Sequence, residues 1–455
     1  MKRKTLYLSF ILLLGPLALF SQQKKWTLEE CIAHALQNNI SIKQQEIMNR
    51  YQVAALEQSK LNLLPTLNGS ASHNYAFGRA LDETTYEFTE NETVQSNNFY
   101  AGSNVTLFRG LVNYNTIRKN RYEVLASEQE LEQFRDNISL NVSLAYLQIL
   151  LNQELVTATE SQVELTKQQI DRTRKLVEAG SLAQGSLLEI EAQAAREELQ
   201  LVNMRNQLAL SLLTLAQMLE LQNIDDFEVA IPVITVRDEA VDGNPAAIYS
   251  IAEKMRPEIM SAEYKLKSAE YDLAIAKGNR SPRLSLGASV STGYSDMRLK
   301  PITNENYPFR EQLNDNLNYG LGLSLNIPIF NGWQVNTLIK NSMLGIENSK
   351  YALENSKKQL YKNIQQAYTD ASGALKKYKA SQKAVISMEE AFRYAEQKLG
   401  VGLVTAVEYN QSKTQLLNAQ SEMAQAKYEY VFKTKVLDFY KGVPLTLEHI
   451  TIFAK

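Results

Sequence analysis

Four stretches of the chain alternate apolar and polar positions with a period of two. In the first, Leu67, Gly69, Ala71, His73, Tyr75 and Phe77 share one face, and Asn68, Ser70, Ser72 and Asn74 share the other. In the second, Phe99, Ala101, Ser103, Val105 and Leu107 oppose Tyr100, Gly102, Asn104 and Thr106. The third sets Leu284, Leu286, Ala288, Val290, Thr292 and Tyr294 against Ser285, Gly287, Ser289, Ser291 and Gly293. The fourth sets Tyr319, Leu321, Leu323, Leu325, Ile327 and Ile329 against Gly320, Gly322, Ser324, Asn326 and Pro328. This alternation predicts strands over about 66–77, 98–108, 283–294 and 318–330. Each is about ten residues long, greasy on one side, small and polar on the other. That is the pattern of a strand crossing an outer membrane between lipid and an aqueous lumen. An amphipathic hairpin on a soluble core would share the alternation. The strand length and the small inner residues favour the membrane.

Between the strands the period becomes helical. Leu111 to Leu221 has no proline and only two glycines, Gly180 and Gly185. Its first part, Leu111–Ala179, predicts roughly 100 Å of helix at about 1.5 Å per residue. One globular core cannot wrap such a helix. The chain then returns as a second helix, Leu187–Leu221. Trp333–Leu399, a break at Gly400 and Gly402, and Ala406–Tyr440 repeat the hairpin. Apolar residues of the first returning helix, such as Leu187, Leu188, Ile190, Leu199 and Leu201, cover more than one face. A wall helix with neighbours on both sides wants such a pattern. Near the start, Thr27 and Glu30 have capping-box spacing and predict a helix that runs to about Leu64, before Pro65. A further helix is predicted from about Ala246 to Lys277, ended by Gly278–Pro282. Residues 222–247 read as an irregular equatorial segment, with Ile231–Val236 extended and Asp242-Gly243-Asn244-Pro245 as a turn.

The two halves repeat. Pro65 corresponds to Pro282 at an offset of 217, and Gly110 to Gly332 and Gly180 to Gly402 at 222. Ala35-Leu36-Gln37-Asn38-Asn39-Ile40 corresponds to Ala252-Glu253-Lys254-Met255-Arg256-Pro257. The expected organisation is a leader, 1–21, then repeats 22–247 and 248–455, with long hairpins 111–221 and 333–441 and a short C-terminal tail. Each repeat reads helix, strand, strand, long helix, returning helix. Four strands cannot close a barrel in lipid, where open edges are costly. Small barrels need about eight strands or more, and three chains would supply twelve.

Lys2-Arg3-Lys4, the apolar run Leu6–Phe20 with Gly15-Pro16, and Ser21 predict a signal peptide cleaved before Gln22. Without Lys2, Arg3 and Lys4, the 48 basic residues become 45 against 50 acidic ones, a net charge of −5. That gives no electrostatic case for nucleic acid. No later stretch is apolar enough for a membrane-spanning helix. One cysteine, Cys31, excludes an intrachain disulfide, and His34, His73 and His449 lie far apart. No catalytic, cofactor-binding or metal-ligand pattern is present, so an enzyme is not expected.

The duplicated order, Phe108-Arg109-Gly110 and Phe330-Asn331-Gly332 after each second strand, the Asn-Asn-Ile and Arg-Pro-Glu pair, and the glycine-marked tips resemble the TolC family of outer membrane efflux proteins. The resemblance covers essentially the whole mature chain. It implies a mainly α fold with a small membrane β-barrel part: a homotrimer with a twelve-stranded barrel continued by a helical periplasmic tunnel. It also implies a periplasmic adaptor (membrane fusion) protein and an inner-membrane pump as partners. The expected function is passive export through the outer membrane, of small molecules or, as an alternative, of proteins by type I secretion. A purely periplasmic helical scaffold is the rival from another class.

Candidate site residues lie at the tips. Ser186 with Glu189, and Thr405 with Glu408, have capping-box spacing. By symmetry Glu408 would also form an acidic ring at the periplasmic mouth. Relatives by resemblance often carry acids where Glu408 and Gln411 stand, and a Tyr and an Arg latch where Leu399 and Val404 stand. This chain keeps one acid, and apolar packing of Leu399 and Val404 is the expected closure. Gly180 and Gly402 mark the turns. Leu182, Leu403 and Val404 are candidate adaptor contacts.

Overall fold

The computed structural model describes residues 25–447 except 80, 82–87, 89–91, 225, 233, 235–242, 301 and 304. The leader reading, the part of the extended reading at 233 and 235–236, and the last eight residues of the tail fall outside the described residues. The first repeat holds β1 Lys25–Trp26, α1 Leu28–Asn38, α2 Ile40–Leu61, β2 Thr66–Gly78, β3 Glu92–Arg109, α3 Val112–Glu178, α4 Gln184–Met218 and β4 Glu228–Val229. The second holds α5 Pro245–Met255, α6 Pro257–Gly278, β5 Arg283–Ser295, α7 Phe309–Asp315, β6 Asn318–Asn326, α8 Gln334–Gly400 and α9 Ala406–Tyr440.

β2, β3, β5 and β6 form one antiparallel sheet in that order. The registers bring the four alternations into phase. Leu67 lies beside Ser103, Ala288 and Leu321, and Val105 beside Leu286 and Leu323. The opposite face carries Asn68, Gly102, Ser289 and Gly320. This small polar face lines a hollow of about 570 Å³, so it is the concave side. The convex side is apolar, with Leu67 and Leu321 each 79% exposed. β2 and β6 are the two edges, and neither has a further strand among the described residues.

Several elements differ from the sequence reading. The helix expected up to Leu64 stops at Asn38 and restarts at Ile40, because the Asn39 side chain accepts from the N–H groups of Ser41 and Ile42 at 3.0 and 3.4 Å. The helix expected over Ala246–Lys277 breaks at the repeat-related Arg256, where Pro257 forces the preceding residue out of the helical region. β3 begins at Glu92 rather than near 98, since residues 92–97, polar apart from Val94, keep their ladder to β2 without a continuous apolar face. β6 ends at Asn326 because Pro328 has no N–H for a ladder. The short strand of the equatorial segment is β4, upstream of Ile231, paired in parallel with β1. A short helix of about two turns, α7, occupies the expected loop between β5 and β6.

Sheet and helices join at a tight crossing. Gly110 has φ +55°, and a Cβ there would lie 2.3 Å from the Gly278 carbonyl oxygen. Leu111 and Trp333, at φ 61° and 66°, then turn the chain into α3 and α8. Midway along α3 the largest core gathers Leu28, Cys31, Tyr146, Leu150, Leu215 and Phe227. The Tyr146 hydroxyl donates to the Ala230 carbonyl at 2.6 Å and tethers the β1–β4 segment.

Arg256 does the corresponding work for the second repeat. It is 8% exposed, pairs with Asp136 of α3 at 3.0 Å and lies 4.1 Å above the Phe439 ring of α9. Burial raises the Asp136 carboxyl pKa, and the Arg256 charge opposes that shift. Arg256→Ala strands a carboxylate whose side chain is only 32% exposed. The expected cost is about 2 kcal/mol, below the usual range for a fully buried pair, read as a lower chemical-denaturation midpoint.

Candidate functional site

Both hairpins end in the same turn. Ser181 N–H donates to the Leu176 carbonyl at 2.8 Å and Gly180 N–H to Val177 at 2.9 Å. Leu403 N–H donates to Lys398 at 2.8 Å and Gly402 N–H to Leu399 at 3.1 Å. These are Schellman closures, and Gly180 and Gly402 hold the left-handed position at φ 73° and 77°. Gly185 lies inside α4 and Gly400 is the last residue of α8.

The turns fix where the returning helices start, and the two starts differ. Thr405 caps α9: its hydroxyl accepts from Glu408 N–H, and Glu408 accepts from Thr405 N–H, both at 3.3 Å. The repeat-related position is Ala183, which has no capping side chain. Ser186 and Glu189 therefore do not form the expected capping box; both lie within α4, because the turn delivers the N-cap three residues earlier. Glu408 and Gln411 are exposed, Leu399 and Val404 half-buried, and Leu182 and Leu403 exposed at 41% and 74%.

Two grooves flank the tip half of the helices. One, of about 1090 Å³, runs between α4 and α9 over α3. It is lined by Glu189, Gln193, Gln200, Val407, Gln411 and Gln415, so it joins two of the predicted tip residues. The other, of about 650 Å³, runs between α3 and α8 over α9 and is more apolar, with Leu165, Val385, Phe392, Leu416 and Met423. Ile231 of the equatorial segment borders this second groove.

Between the grooves lies a buried charge network that the sequence reading missed. Lys413 and Glu197, 3% and 7% exposed, stand 3.5 Å apart. Lys413 donates to the Gln162 carbonyl at 3.0 Å and to the Thr166 hydroxyl. Glu197 accepts from Gln162 at 3.1 Å, Gln193 at 3.0 Å and Thr166. Burial lowers the Lys413 pKa, and Glu197 opposes that shift. The network ties α9 to α3 and α4. Its sequence signal was available: Glu197 continues the buried spacing Leu187, Ile190, Ala194, and Lys413 follows Tyr409 by one turn.

Among the described residues no group of three or more His, Cys, Asp or Glu side chains is placed to hold a metal. No described helix is long and apolar enough to cross a membrane. An open sheet with an apolar convex face, continued by paired helices far longer than a domain, is the architecture of an outer-membrane channel protein. The sequence profile of the outer membrane efflux protein family matches residues 31–220 and 248–440, and the chain belongs to that family.

Outer membrane protein TolC of Escherichia coli K12 is 23% identical over 310 residues, covering 65% of this chain and 59% of that protein. Alkaline protease secretion protein AprF of Pseudomonas aeruginosa is 21% identical, covering 84% of this chain and 77% of that protein. The CmeC outer membrane channel of Campylobacter jejuni superimposes with a TM-score of 0.76 at 18% identity, over 91% of this chain and 85% of that one. The family is one of outer membrane efflux proteins and the matched TolC is an outer membrane protein, so the chain belongs in the outer membrane.

Glu197→Gln leaves Lys413 buried without its counter-charge. The expected loss is about 3 kcal/mol. Adding Lys413→Met should recover much of it, so a double-mutant cycle in chemical unfolding gives a coupling above 1 kcal/mol.

Proposed function

We propose that three copies form a twelve-stranded barrel and a helical tunnel that carry small molecules passively from the periplasmic side to the exterior. The observation that carries this reading is the pair of unpaired edges on a sheet whose convex face is apolar. Lipid cannot satisfy those backbone groups, and closure by further copies can. The equatorial segment borders the apolar groove, and placed inside a tunnel it would obstruct the passage. The polar groove between α4 and α9 then faces the lumen, and the apolar groove faces outward.

On this assignment Glu189 and Gln411 face the permeating solute, and the outer groove offers an adaptor helix its apolar wall. The pump is also a partner, because the conduit supplies no energy itself and export against a gradient needs an external source. Leu399 and Val404 close the resting tip by apolar contact. Glu408 caps α9 and, through three-fold repetition, contributes an acidic ring. Protein secretion is the second reading, favoured by the similarity to a protease secretion protein.

The native mass in detergent, corrected for bound detergent, should be that of three chains; a single-chain mass would overturn the shared barrel. In planar bilayers Val404→Asp should raise the resting leak severalfold. An unchanged leak would remove Val404 from the closure.

A further inference from the structure

The segment between β5 and β6 folds back onto the sheet. Its helix α7 has seven residues, too few to persist in water unaided. Two amide side chains hold it in place. Gln312 is fully buried; it accepts from the Ser295 N–H at 3.0 Å and donates to the carbonyls of Ser295 and Tyr307, both at 2.8 Å. Asn316 donates to the Gly293 carbonyl at 2.7 Å and accepts from Arg298 at 2.6 Å. These bonds fix the segment to the top of β5.

The ladders identify the side of the sheet that α7 occupies. Phe99 and Thr292 are partners, and each lies four residues from the row of Ser103 and Ala288, so both share the convex face with Leu67. Tyr294, two residues on, shares it too. Phe309 of α7 packs edge-on against Tyr294 at 5.0 Å and against Phe99 at 6.5 Å between ring centres. The Thr292 hydroxyl donates to the Leu313 carbonyl at 2.6 Å. α7 therefore leans over the convex side, away from the hollow lined by Asn68, Tyr100 and Ser289.

The convex face changes character at this height. From its bottom row, Phe108, Leu284 and Leu325, up to the row of Val290 and Tyr319, it carries no charged residue. Thr292 stands eight residues above Leu284, about 27 Å along the strand at about 3.4 Å per residue. At a strand tilt of about 40° this is about 21 Å along the membrane normal, close to the apolar band of about 25 Å in outer-membrane barrels. The next row sets polar His73 and Asn97 beside Tyr294, the mixture of an interfacial girdle. α7 is two-sided in the same way. Phe309 and Gln312 bind the sheet, while Arg310, Glu311, Asn314 and Asp315 are exposed. Charges are costly in hydrocarbon and nearly free of cost at the interface, so the hydrocarbon must end below this polar side.

We propose that α7 is a lipid-contacting element, seated outside the barrel wall at the headgroup level of the outer leaflet. Phe309 joins the aromatic girdle, and Arg310, Glu311, Asn314 and Asp315 lie among the headgroups. The partner is the outer-leaflet lipid surface, selected by continuity with the apolar band directly below. This placement rests on the reading of the sheet as a barrel wall with lipid on its convex side. It makes the segment a stop that fixes how deep the wall sits, and it removes the segment from the exit of the pore.

Depth-dependent fluorescence quenching tests the placement. Asn314→Cys, Ala288→Cys and Asn104→Cys are each introduced into the full chain, labelled with bimane and reconstituted into phosphatidylcholine vesicles. The vesicles carry a nitroxide either on the headgroup or midway along the acyl chain. The native Cys31 is buried and takes up little label. The Asn314 label should be quenched at least twofold more by the headgroup nitroxide than by the chain nitroxide. The Ala288 label, midway up the convex face, should show the reverse. The Asn104 label, in the hollow, should be quenched by neither. If the Asn314 label behaves like the Asn104 label while Ala288 is quenched from the chains, the segment lies away from lipid and only the placement of α7 is overturned. Stronger quenching of the Asn314 label from the chains overturns its depth. An Ala288 label that neither nitroxide reaches overturns the barrel wall and the placement of α7 together.

Discussion

Backbone hydrogen bonding in lipid is the constraint on which this architecture turns. Each strand carries N–H and C=O groups that water would satisfy and hydrocarbon does not. Among the described residues the inner strands β3 and β5 have partners on both sides, while β2 and β6 each have one. The folded single chain is therefore incomplete at two edges, and its apolar convex face is incomplete in another way, since it needs lipid. The long helices inherit the same condition. Their apolar positions spread beyond one narrow stripe, and exposed residues such as Leu188, Leu199 and Leu210 on α4 would be covered in the proposed trimer.

Much of this was legible in the sequence because alternation and repeat length are global signals. The four period-two segments located the sheet, and the 222-residue offset located both tips. Local departures were harder. The breaks at Asn39 and Arg256 come from one capping side chain and one proline, inside helical patterns that otherwise continue. The sequence pair Ser186–Glu189 has the right spacing for a cap and the wrong place. The Schellman turn at Gly180 sets the start of α4, and spacing alone carries no information about that turn. Glu408 has both spacing and place, so its carboxylate bonds the Thr405 N–H.

Lys413 and Glu197 show a different failure. Each looks like one of the many charges on a solvated helix. Only their positions on buried stripes mark them, and only the packing of α9 against α3 and α4 brings them together. The pair supplies direction more than net stability. An apolar replacement of similar volume would pack as well, whereas a lone charge would not be tolerated. It also fixes the hairpins at one relative height, since Lys413 meets Gln162, Thr166 and Glu197 in a single geometry.

The tip asymmetry follows from these local choices. α9 starts with a two-way cap, worth about 1 kcal/mol, and is anchored farther along by Lys413. α4 starts at Ala183 without a side-chain cap and carries only a neutral first turn. The shared Schellman closure holds both chains through the turn, so the difference lies in the first helical turn beyond it. Fraying begins where orphan N–H groups lack partners, and α4 has more of them than α9. In the proposed ring of three copies the two kinds of tip would alternate, giving the mouth three capped positions and three uncapped ones. Motion at such a mouth would start from the first hairpin's returning helix, with the second hairpin's tip held at its cap and its buried lysine.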